Sequence, residues 1–251
     1  MTVPDFLPTL SHGAHDSDAG EACVMEYVSL LAGEEWSDRP ECTHPILAHE
    51  ARTTNDLLLD HDRPRLVPLV GRLFGTTEDS PELRARLRIA QARQLVALLD
   101  PASRPRAMAA VTRAESWLGR EGNEQDVRQA FADAGGRPTS SASTRLSFSM
   151  ASGELDAEHV AFHQNASRMF PFSMSPELDA SEAHALTALV IVHRIAASGE
   201  CLADCGNGPA RARRMVKELG GLIDVYDQFT GRETGSITAA DVAELTTAAR
   251  S

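Results

Sequence analysis

Apolar residues recur along most of this chain at spacings of three and four, the pattern of helices that bury one face. From Glu21 to Ala32 the stripe Val24, Tyr27, Val28 and Leu31 predicts a helix stopped by Gly33. Pro45 is suited to the first turn of a second helix, running to about Leu58 with Ile46, Leu47, Ala51 and Leu58 turned inward. A third is predicted over 64–74, ending at Gly75. Ser80-Pro81-Glu82 then combines an N-cap serine, a proline at the first helical position and an acid in the first turn. The helix behind it carries Leu83, Leu87, Leu95, Leu98 and Leu99 and should end before Pro101. Further helices fit 106–118, 124–134, 156–169, 181–197 and 210–229, with a short capped one from Thr238. The helix over 210–229 has the stripe Met215, Leu219, Leu222, Ile223, Tyr226 and Phe229, weakened in the middle by Gly220-Gly221. Ser175-Pro176-Glu177-Leu178 repeats the tetrapeptide at 80–83, but the residues that follow do not match, so one capping solution is used twice.

Residues 145–150 alternate apolar and polar, with Leu146, Phe148 and Met150 on one side, and are the best strand candidate. The expected fold is therefore all-α: a multi-helix, bundle-like architecture with at most a short β-hairpin near 145–150. Residues 1–20 read as an irregular lead-in. The Gly-, Ser-, Thr- and Pro-rich run at 136–144 is the clearest linker signal. It divides the chain into an N-terminal helical module, 1–135, and a C-terminal helical region, 145–251, which pack together or apart.

Composition agrees with helices: aromatic residues are only 5% of the 251 and alanine is abundant. The formal net charge of -12 repels nucleic acid and anionic membrane surfaces, so neither is an expected partner. Residues 1–38 contain no Lys or Arg, unlike a secretory leader. The longest apolar runs, such as Ala188–Val192, are far shorter than a membrane span. A cytoplasmic protein is expected, with Cys23, Cys42, Cys201 and Cys205 as thiols or metal ligands rather than disulfides.

Candidate chemistry concentrates near the N-terminus, where His12, His15, Cys23, Glu26, Cys42, His44 and His49 fall within 38 residues. Thiolate, imidazole and carboxylate together are donors that zinc selects. Cys23 and Glu26, three apart on a predicted helix, point to one side, and a loop around Pro40 would return Cys42 and His44 toward them. The candidate metal ligands are His15, Cys23, Cys42 and His44: in a hydrolase Cys23, Cys42 and His15 would hold zinc with Glu26 as general base on a bound water, and in a purely structural site all four positions would be filled by protein. There is no Cys-x-x-Cys pair here. A plainer reading makes Cys23 a core residue, Cys42 a loop residue and the histidines surface groups.

The ordered string Ala22-Cys-Val-Met-Glu-Tyr-Val-Ser-Leu-Leu-Ala-Gly-Glu-Glu-Trp-Ser-Asp38 is preceded by Gly13-Ala-His15 and followed by Pro40-Glu-Cys-Thr-His-Pro-Ile-Leu47. With Ala51-Arg52, Asn55-Asp56 and Pro68–Thr76, it resembles an uncharacterised family of actinobacterial and actinophage proteins. The resemblance covers residues 11–77, under a third of the chain, and falls on His15, Cys23, Glu26, Cys42, Asn55 and Asp56. It implies an origin and an alanine-rich helical remainder, and carries no activity with it.

Other candidates are weaker. Glu158-His159 and His163 lie four apart on a predicted helix, with His184 and His193 on the next, but the order is not His-Glu-x-x-His, and a hydrogen-bonded core histidine accounts better for His193. Cys201 and Cys205 are spaced too widely for the usual redox pair. Residues 230–241 outline an EF-hand loop, but Thr230 and Arg232 stand where calcium needs carboxylates. Arg84, Arg86, Arg88 and Arg93 read as a solvated helix face. Two functions remain: a non-enzymatic helical protein that binds a protein partner, with or without a structural metal, and a zinc-dependent hydrolase built on the N-terminal cluster.

Overall fold

A computed structural model describes residues 8–134, 178–197 and 209–233. The described chain is helical apart from one pair of two-residue strands, the all-α class the periodicity predicts. Its elements are β1 (Thr9–Leu10), β2 (Glu21–Ala22), α1 (Val24–Ala32), α2 (Pro45–Leu57), a 3-10 helix (Arg63–Leu66), α3 (Val67–Leu73), α4 (Pro81–Leu98), α5 (Arg104–Glu115), α6 (Glu124–Asp133), α7 (Ala180–Ala197) and α8 (Pro209–Thr230). Among the described residues no helix is long and apolar enough to cross a membrane. The strand expected at 145–150, the helix over 156–169, the cap at Ser175 and the linker at 136–144 lie outside the described residues, as does the helix from Thr238.

The chain divides into two compact units, one of residues 1–79 and 208–251 and one of residues 80–207. In the first, β1 and β2 pair in parallel, Thr9 opposite Glu21 and Leu10 opposite Ala22, with Ser11 N donating to Ala22 O at 2.9 Å. This pairing shortens the helix expected from Glu21: α1 starts at Val24, because Glu21 and Ala22 spend their backbone groups on the strand and Cys23 is the N-cap. Gly33 ends α1 at the stop the sequence assigned it, in the left-handed conformation at φ +69°. His44 caps α2, whose first residue is Pro45.

The helix expected over 64–74 is two pieces. Pro68 has no N–H to return to the carbonyl of residue 64, and Val67 N donates to Pro64 O instead, so the first turn is 3-10. α8 packs on α2 and α3 and supplies Leu219, Leu222, Ile223 and Tyr226 to an interior shared with Val28, Leu47, Leu66 and Leu73. Arg72 of α3 holds Asp224 at 2.6 Å and Asp227 at 2.8 Å on α8.

In the second unit α7 is central and packs on α4, α5 and α6. Its core interleaves small and branched residues: Ala85, Ile89 and Ala92 of α4, Ala107, Val111 and Ala114 of α5, Ala185, Ala188, Leu189 and Val192 of α7. Alanines at the contacts let helix axes approach closely and lose no side-chain entropy on burial. The connection before α6 is packed as tightly: a Cβ added at Gly122 would stand 2.1 Å from Ala180 Cβ.

Candidate functional site

The N-terminal cluster is built around Glu26, in the first turn of α1 and 1% exposed. One carboxylate oxygen, Oε1, accepts from His15 N at 2.7 Å. The other, Oε2, accepts from Cys23 N at 2.6 Å and from the His15 ring at Nδ1, 3.1 Å away. Cys23 completes the exchange by accepting from Glu26 N at its Sγ, 3.4 Å. This is a capping box with a thiol in the place usually taken by a hydroxyl. His15 is fixed from its backbone too, since Trp36 Nε1 donates to its carbonyl at 2.7 Å. The outer nitrogen, Nε2, lies 3.6 Å from the exposed Glu21 carboxylate.

His15, Cys23 and Glu26 thus meet as the sequence grouping anticipates, but as hydrogen-bond partners of one another. Burial pushes the Cys23 thiol up to about 12, and the nearby Glu26 carboxylate adds to the rise, while a backbone hydrogen bond opposes it. The sulfur is therefore a protonated thiol at neutral pH, a weak nucleophile and a weak metal ligand.

Cys42 and His44 are engaged elsewhere. Cys42 is a buried free thiol, 3.8 Å from Thr43 Oγ1, and burial raises its pKa as well. The His44 ring accepts from Ile46 N at Nδ1, 3.2 Å, which places its proton on Nε2, facing Asp79 Oδ1 at 3.2 Å. His44 N donates to Thr76 Oγ1 at 3.0 Å, beside a parallel bridge between Thr43 and Thr76. Among the described residues no group of three or more His, Cys, Asp or Glu side chains is placed to hold a metal ion. Cys23, Cys42 and His44 would each have to leave a hydrogen bond, or give up a proton that burial stabilises, before binding one, whereas the Nδ1 contact of His15 with Glu26 leaves its Nε2, 3.6 Å from Glu21, able to present a lone pair.

Asn55 and Asp56, near the end of α2, are the part of the site that residue chemistry left unassigned. Asn55 Nδ2 donates to Ser11 O at 2.8 Å, and Asp56 Oδ1 accepts from Gly13 N at 3.0 Å. Arg63 Nε returns to Asn55 O at 3.0 Å. The lead-in is thereby strapped to α2 at residues 11 and 13 and to α1 at residue 15. Asp79 and Thr76, the partners of His44, carried no sequence signal, because each lies more than thirty residues away.

His184 and His193 are both buried on α7. The histidines expected to join them, His159 and His163, lie outside the described residues, as do Cys201, Cys205 and most of the EF-hand outline. The chain matches no protein-family model, no curated protein sequence and no solved structure.

Proposed function

We propose that the chain is a non-enzymatic helical protein that binds a protein partner in the cytoplasm, with its N-terminal module as a rigid platform. The observation that carries this reading is a face on the 3-10 helix and α3. Outward positions there include Pro64, Val67, Pro68 and Phe74, with half-buried Gly71 between them and exposed Arg65, paired with Asp62, beside them. Val67 and Phe74 are 48% and 47% exposed. An ordinary solvent face looks like that of α6, where the exposed residues include Glu124, Gln125, Arg128, Gln129 and Asp133. A row of exposed apolar positions on a helix suits contact with another protein. The cytoplasmic assignment is supported by Cys23 and Cys42, both free thiols. The hydrogen-bonded state of His15, Cys23 and Glu26 supports platform over catalysis, since a general base needs a lone pair aimed at substrate.

The test is affinity capture from the source organism with the wild-type chain and with Val67→Glu/Phe74→Glu as bait. The expected result is a partner retained by the wild type and lost by the variant, with circular dichroism unchanged. Equal recovery by both would remove this face from the reading. About one zinc per chain in untagged protein, lost in Cys23→Ser, would favour the zinc-dependent hydrolase instead.

A further inference from the structure

Trp117 sits just past α5 in a tight turn: its N–H donates to Ala114 O at 3.0 Å, Arg120 N donates to Trp117 O at 3.1 Å, and Gly119 takes φ +70°. The turn lays the indole flat on His184 of α7, with ring centroids 4.3 Å apart and planes 11° from parallel. His184 is 6% exposed, and its Nε2 is buried with no hydrogen-bond partner among the described residues. Gly122, in the connection between α5 and α6, lies close enough to Ala180 that a Cβ there would have no room.

A neutral imidazole tolerates this site: it leaves one lone pair unfilled and stacks its face on the indole. An imidazolium carries an N–H at both nitrogens, so protonation turns the unfilled acceptor into a buried, charged donor with no hydrogen-bond acceptor among the described residues. The charged groups around the ring are Asp126 and Asp133 of α6 and Arg113 of α5. Asp133 is already held by Arg113 at 2.8 Å. On the α4 side, Glu182 is paired with Arg84 at 3.0 Å, and Arg120 lies 5.8 Å from the Trp117 ring. Burial resists the proton most, the two aspartates favour it and Arg113 opposes it.

We propose that the Trp117–His184 stack is a proton-operated catch: neutral His184 holds the turn after α5 against α7, and protonating the buried ring releases Trp117. The catch gives the second unit a local response to mild acid that leaves its alanine core in place.

The experiment follows the two indole N–H signals of the full chain by NMR from pH 7.5 to 4.5, with Trp117 assigned through Trp117→Phe. The Trp117 signal is expected to move with a midpoint below the ordinary imidazole value of about 6.5. Acrylamide quenching of Trp117 should rise over the same range while far-ultraviolet circular dichroism stays constant. His184→Phe keeps a flat ring on the indole and should abolish the transition; His184→Asn, the smaller replacement, should abolish it too. The proposal is overturned by a Trp117 transition that survives in either variant, by a midpoint at or above about 6.5, or by a signal that does not move down to pH 4.5.

Discussion

In the unit made of residues 1–79 and 208–251, polar side chains in or near the interior reach across long stretches of sequence: Glu26 to His15, Asn55 to Ser11, Asp56 to Gly13, His44 to Asp79. Among the described residues of 80–207 the interior is largely alanine with branched aliphatics, and helices meet along small-residue stripes. The first arrangement fixes loops by specific bonds; the second fixes helix spacing by size. Each should therefore fail to a different kind of substitution.

The sharpest test is Glu26→Ala, which leaves His15 N, Cys23 N and the His15 ring without their acceptor. A loss of about 3–5 kcal/mol is expected from urea unfolding, since several buried donors are stranded at once. Ala188→Leu adds volume where α7 meets its neighbours and should cost about 1–3 kcal/mol. If Ala188→Leu proves the more damaging of the two, the comparison fails.

The smallest effect concerns a carboxyl on α8. Burial pushes Glu218 up to about 7; Arg214 opposes the shift and Glu50 of α2 adds to it. The folded chain therefore holds a proton between about pH 4.5 and 7 that the unfolded chain has released. Its contribution is complete below the lower of these values and is lost as the pH rises through the upper one. Stability should fall by of order 1–2 kcal/mol from pH 5 to 8 after allowing for the residue's partial exposure. Glu218→Gln should flatten the change, and urea midpoints at the two pH values in both proteins will check it.

The helices were legible where a local signal marked an end. Ser80-Pro81, Pro45 and Gly33 each fix a boundary through their own backbone chemistry, and α4, α2 and α1 stop or start there. The start of α1 was not, because Cys23 is an unusual cap. The usable signal was Glu26 three residues on, the other half of a capping box. The strands β1 and β2 were illegible because two residues cannot display a period. In the site, the grouping of His15, Cys23 and Glu26 was readable from their types and spacing, whereas their mutual hydrogen bonding was not. Identical donors serve a metal or one another, and only the path of the lead-in decides which. Nothing local in residues 209–230 indicates that this helix belongs with residues 1–79.

That last feature has a consequence for the order of events during synthesis. The interior of the first unit lacks Leu219, Leu222, Ile223 and Tyr226 until α8 has been made, yet its other apolar faces leave the ribosome before residue 80. Translation at about 5–20 residues per second leaves them waiting roughly 6–26 s while the second unit is produced. During that interval residues 80–207 can collapse on themselves, whereas Leu47 of α2 and Leu73 of α3 lack the packing that α8 gives their helices. A chain stalled before α8 would keep these faces uncovered for as long as the stall lasts.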